Sequence, residues 1–131
     1  MDGANVPMIR FSLNGVDVSV DAAAGERLSA SLREKCGAKD VKLGCNAGDC
    51  GACTVLVDGD VVCACLMSTA QAEGRSVETA SQLCNCVEGK ALAQAFQNHG
   101  AAQCGICTPG MIVSAVAWLR SGEGTVENAL A

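Results

Sequence analysis

Ten cysteines stand in a chain of 131 residues, and their spacing is far from even. They fall at Cys36, then Cys45, Cys50, Cys53, Cys63 and Cys65, then Cys84 and Cys86, then Cys104 and Cys107. So many thiols in so short a chain mean disulfides or metal ligation. Disulfide scaffolds belong to exported proteins, and the start, MDGANVPMIR, has no apolar signal core. Clustered thiols in a reducing compartment are metal ligands, so the expected chemistry is metal binding in the cytoplasm. Cys45-x4-Cys50-x2-Cys53, with Cys63 and Cys65 on the following hairpin, fits the plant-type [2Fe–2S] pattern C-x4-C-x2-C…C. Spacing alone leaves Cys63 and Cys65 as alternatives for the fourth ligand, because residues two apart on a strand share a face.

The residues between these cysteines suit an anionic cluster. Burying one needs backbone N–H groups aimed at sulfur, and those approach only where side chains are small. Gly44, Ala47, Gly48, Gly51 and Ala52 supply that, and Gly48 and Gly51 permit the positive-φ turns that wrap a loop. A zinc site is the competing reading, but zinc sites usually pair two C-x2-C knuckles, whereas three of these thiols crowd one loop. Cys104-Gly-Ile-Cys107 precedes a capped helix, whose N-terminus stabilises anionic sulfur. A thioredoxin-like dithiol would need a preceding strand, and none is read there. Cys36 reads as a small core residue. His99, the only histidine, reads as a helix C-terminal partner rather than a ligand.

The elements that position these loops can be read from periodicity. Ile9, Phe11 and Leu13 alternate on residues 8–13, Asn14-Gly15 makes a turn, and Val16, Val18 and Val20 line the return strand. Residues 26–36 predict a short helix with Leu28 and Leu32 on one face, ended by Gly37. Residues 43–53 predict a loop, 54–57 a strand, Asp58-Gly59 a turn and 61–66 its partner strand. These elements suggest an α+β, β-grasp-like ferredoxin domain over residues 1–80. Residues 67–88 read as a linker with one short strand at 76–78. A helical domain then occupies 81–131. Its first helix, 89–99, carries Leu92, Ala95 and Phe96 on one face and stops at Gly100. Its second, 109–120, has Thr108 as N-cap and Pro109 in the first position, with a Met111, Ala115, Leu119 stripe and almost no polar face. A third opens at Thr125, so the helices form an incomplete bundle.

Composition excludes several classes. Nine basic residues against fourteen acidic ones give a net charge of −5, a poor match to a nucleic-acid surface. No apolar run reaches the ~18 residues of a membrane span. With only Phe11, Phe96 and Trp118 as aromatics, the core must be aliphatic, Ala and Cys. No Ser/His/Asp set, phosphate-binding loop or dinucleotide fingerprint is present, so no substrate-transforming site is expected.

GCNAGDCGACTVLVDG and AAQCGICTPGM together resemble the small iron–sulfur subunit of the molybdenum hydroxylases, the xanthine oxidase family. The resemblance spans about residues 8–130. It implies a β-grasp ferredoxin domain followed by a helical domain, with one [2Fe–2S] cluster in each. It implies Cys45, Cys50, Cys53 and Cys65 as ligands of the first cluster, which decides for Cys65 over Cys63. It implies Cys104 and Cys107 as half the ligands of the second, and a molybdopterin contact at Gln103. The family usually completes the second cluster with a C-x-C about thirty residues further on. The expectation is that such a segment follows Ala131; the alternative is that Cys84 and Cys86 substitute. The implied function is relay of electrons from a large molybdopterin-binding subunit towards FAD on a third subunit. A free-standing ferredoxin and a zinc module are the alternatives. Apolar Ile112, Val113 and Trp118 favour the subunit, since a diffusing carrier would not expose them.

Overall fold

A computed structural model describes residues 7–100 and 105–122. The chain opens with strands β1 (Met8–Leu13) and β2 (Val16–Asp21), paired antiparallel through the Asn14-Gly15 turn. Both turn residues take positive φ, 53° and 82°, which matches the right-handed strand twist. A single α-helical turn, α1 (Leu28–Ala30), widens into a π-turn at Ser31–Lys35. Leu28 and Leu32 are both fully buried, so the predicted helix face is the observed one.

Strands β3 (Thr54–Val57) and β4 (Asp60–Cys63) form the second hairpin. The strand predicted over 61–66 ends at Cys63, and Cys65 lies in the turn that follows. Strand alternation therefore does not apply to Cys63 and Cys65. A 3-10 turn at Thr69–Ala72 leads to β5 (Ser76–Glu78). The sheet order is β2-β1-β5-β3-β4, with β1 and β5 parallel and the other pairs antiparallel. The stretch read as a linker thus supplies the central strand. Three residues show too little alternation to mark a centre, and its place is set by long-range bonds such as Ser12 N–H to Arg75 O at 2.9 Å.

Helices α2 (Ala80–Leu83), α3 (Val87–Asn98) and α4 (Thr108–Ser121) complete the described fold. None is long and apolar enough to cross a membrane. The helix predicted at Thr125 lies outside the described residues. On α3 the packed face is Leu92, Ala93 and Phe96, with Ala95 exposed. Cys107, not Thr108, is the N-cap of α4, and Pro109 takes the second helical position. The stripe of α4 is also rotated from expectation. Ile112, Val113 and Val116 are buried, each contributing about 1.5–3 kcal/mol over exposure, while Met111 and Leu119 are about 40 % exposed.

Two cores share β3. Val55 and Val57 face the core under α1, with Phe11, Leu28 and Leu32. Leu56, pointing the other way, joins Ala80, Leu83, Ile112, Val113 and Val116. All four residues of β3 are buried, as expected of a strand covered on both faces. Polar clamps reinforce the join. Asn14 Nδ2 donates to Thr79 Oγ1 at 3.0 Å, Thr79 N–H donates to Asn14 Oδ1 at 2.8 Å, and Ser81 N–H donates to Asp40 Oδ2.

Candidate iron–sulfur centre

The loop between the π-turn and β3 gathers sulfur and backbone donors. N–H groups of Ala47, Asp49 and Cys50 point at Cys45 Sγ at 3.2–3.3 Å. Those of Cys45 and Ala52 point at Cys50 Sγ at 3.3 and 3.4 Å. Cys65 N–H points at Cys53 Sγ at 3.4 Å. The small residues do what their sizes imply. At Gly44 a Cβ would stand 2.8 Å from Cys50 Sγ. Gly48, Gly51 and Asn46 adopt positive φ, and Arg27 Nη1 holds the Asn46 carbonyl at 2.6 Å. Sequence reasoning missed Arg27, because nothing in the spacing links it to a loop nineteen residues on.

Charge follows this geometry. Donation by the Ala47 amide, then those of Cys50 and Asp49, draws the exposed Cys45 thiol from 9.0 down to about 7. Burial pushes the Cys53 thiol up to about 11, with the neighbouring Cys65 also acting on it. Cys65 is buried beside Cys53, whereas Cys63 is half-buried at the edge of the core.

The thiols therefore stand as two pairs, Cys45 with Cys50 and Cys53 with Cys65. Among the described residues no three His, Cys, Asp or Glu side chains converge on one point. A structural zinc ion needs four ligands around one centre. A [2Fe–2S] cluster held by four thiolates takes two on each iron. The donor set fits the two-iron group: paired thiols, six N–H donors, and a loop built largely of glycine and alanine.

The second cysteine loop lies against the first. Cys107 caps α4 and is exposed. Three residues on, Gly110 is buried, and a Cβ there would lie 3.1 Å from the Gly51 carbonyl carbon, 3.3 Å from Ala52 Cα, and nearer still to Gly51 O. Backbone thus meets backbone, joining α4 to the first loop. Cys104 and Gln103, also predicted site residues, lie outside the described residues. Cys84 and Cys86 stand elsewhere. Cys86 caps α3, taking Gly89 N–H at 3.3 Å, and shares a small pocket with Arg120. Arg120 is at the far end of α4 from Cys107, about 20 Å along a helix of 14 residues. That separation counts against Cys86 as a substitute ligand. Cys36 packs on the core, and burial raises its thiol above 9.0. His99 caps the end of α3.

A ferredoxin-type sheet with a paired-thiol loop, docked on the helix that opens after Cys107, defines an iron–sulfur protein of the ferredoxin type. Residues 11–87 match the 2Fe-2S iron-sulfur cluster binding domain, and residues 79–131 match the [2Fe-2S] binding domain. The chain is 40 % identical over 126 residues to the xanthine dehydrogenase iron-sulfur-binding subunit of Escherichia coli O157:H7, covering 91 % of this chain and 74 % of that one. It is 42 % identical over 111 residues to the nicotinate dehydrogenase small FeS subunit of Eubacterium barkeri, covering 85 % and 71 %. Quinoline 2-oxidoreductase from Pseudomonas putida 86 contains a chain of the same fold, with a TM-score of 0.85, 35 % identity, and coverage of 94 % and 76 %. The chain belongs to the family of iron–sulfur small subunits of molybdenum hydroxylases, oxidoreductases in which it carries electrons through two [2Fe–2S] clusters. Family membership carries this conclusion; the apolar second helix does not, since Ile112 and Val113 are covered by this chain itself.

Proposed function

We propose that Cys45 and Cys50 hold one iron of the first cluster, and that Cys53 and Cys65 hold the other. Cys104 and Cys107 supply half the ligands of the second, with Gln103 beside them contacting molybdopterin of a large partner subunit. Residues 1–80 and 81–131 act as the two cluster-bearing units, in the cytoplasm. Electrons pass from the partner's molybdenum cofactor through the helical unit, then the ferredoxin-like unit, to FAD on a further subunit. The clusters supply one-electron redox chemistry. The chain supplies N–H donors that compensate thiolate charge, small glycine and alanine residues that let them approach, and a fixed spacing between the two loops.

The observation that carries this reading is the pairing of four thiols under six backbone donors, three thiols on one loop and the fourth on the turn after β4. It is tested on the purified complex by iron and sulfide analysis with EPR of the reduced state. Two distinguishable signals and four irons per chain are expected, and Cys50→Ser should remove one signal while leaving the other. Stoichiometric zinc without acid-labile sulfide would overturn the assignment.

A further inference from the structure

A groove runs between the two cysteine loops, lined by Arg33, Lys42, Leu43, Gly105 and Ile106. Leu43 leads through Gly44 into Cys45, and Gly105-Ile106 is the middle of the C-x2-C motif. Two cations are therefore set where the loops come together. The Arg33 guanidinium donates to Lys39 O at 3.2 Å and to Val41 O at 2.9 Å. Lys42 is half-buried, and its main-chain N–H donates to Ala52 O at 3.2 Å, which ties residue 42 to the first cysteine loop.

Carbonyl partners orient the Arg33 guanidinium without neutralising it. Among the described residues neither Arg33 nor Lys42 forms an ion pair; the same holds for Arg10, Arg27, Arg75 and Lys90, so the groove between the loops is what sets these two apart. In a chain of net charge −5, unneutralised positive charge is thus kept at the junction of the loops. A cluster held by four thiolates is anionic, and reduction adds one more negative charge. A cation held between the two loops stabilises the reduced form more than the oxidised one.

We propose that Lys42, with Arg33 behind it, is a positioning charge shared by the two clusters, which raises their reduction potentials and eases electron passage between them. This rests on the ligand assignment above. Arg33 also braces the loop at residues 39–41, so Lys42 is the cleaner probe.

The test is an EPR-monitored redox titration of the intact complex carrying Lys42→Gln, Lys42→Arg or Lys39→Gln. Lys42→Gln is expected to weaken reduction of the clusters about tenfold, or ~59 mV for a one-electron couple. Lys42→Arg should restore wild-type values. Lys39→Gln removes the same charge from an exposed, paired site and should leave both potentials in place. Unchanged potentials in Lys42→Gln, or equal shifts in Lys39→Gln, would overturn the proposal. So would loss of iron from Lys42→Gln with the remaining clusters at wild-type potential, since the residue would then be a scaffold only. Iron, sulfide and two EPR signals in the wild type report the ligand assignment separately. If they are absent that assignment falls; if they are present and the potentials stay still, only the charge inference falls.

Discussion

Gly110 is the point at which a single methyl group should separate the two loops. It is buried in the first turn of α4, and its added Cβ would fall under 3.0 Å from Gly51 O. The obstacle is backbone rather than the end of a flexible side chain, so it cannot swing aside. Ordinary contact would require α4 and the cluster loop to part by on the order of 1 Å in an interior that is otherwise close-packed. Overpacking of this kind costs about 1–3 kcal/mol. With a melting shift of about 4 °C per kcal/mol for a chain of this size, Gly110→Ala should lower Tm by roughly 4–12 °C. The helix itself is not the weak point, since Ala is the better helix former. Differential scanning calorimetry of the complex, with EPR at low temperature to read spin coupling between the centres, would measure both consequences. A Gly110→Ala protein with wild-type Tm and unaltered coupling would refute the close approach of α4 to Gly51.

Three further outcomes are expected. Cys65→Ser should bleach the first cluster while Cys63→Ser leaves it intact, read by visible absorbance and EPR; the reverse pattern would sink the pairing of Cys53 with Cys65. Gly89→Ala should cost about 1–3 kcal/mol in chemical denaturation, because a Cβ there would stand 2.6 Å from the Leu83 carbonyl carbon and 2.9 Å from Cys84 Cα. Glu26 should shape the acid limb of stability. The hydrogen bond from the Lys35 ammonium, followed by that from Ser31 Oγ, holds its carboxyl below 4.5. Its contribution is present above that value and is lost as pH falls through the lowered one. Glu26→Gln should flatten the fall in Tm below pH 4.5, and an unchanged acid limb would show that the contact carries no linkage.

The first cysteine loop was legible because its chemistry needs local spacing: three thiols, the glycines between them, and a hairpin to return the fourth. The two hairpins were legible because Asn14-Gly15 and Asp58-Gly59 encode their turns locally. Three features were not. β5 is only three residues long, and its central place comes from partners more than sixty residues away in β1. The face of α4 was misjudged because nearly every candidate was apolar, and burial was decided by which side met Leu56 and Leu83. The spacing of Cys84 and Cys86 invited a ligand role, yet Cys86 stands beside Arg120, at the end of α4 away from Cys107. A motif reports which residues could act together, and only the path of the chain decides whether they do.

The two-sided burial of β3 has a consequence for folding. Val57 and Leu56 are neighbours in sequence, yet one belongs to the core under α1 and the other to the core under α4. Undocking the helices would strip the cover from one face of a strand whose other face anchors the sheet, leaving Leu56 in water. The helical unit cannot melt quietly while the ferredoxin-like unit persists, so heat should reach both as one cooperative transition. Damage at either end, an oxidised thiol or a cavity beneath α2, is then felt as a loss of the whole electron path rather than of one station along it.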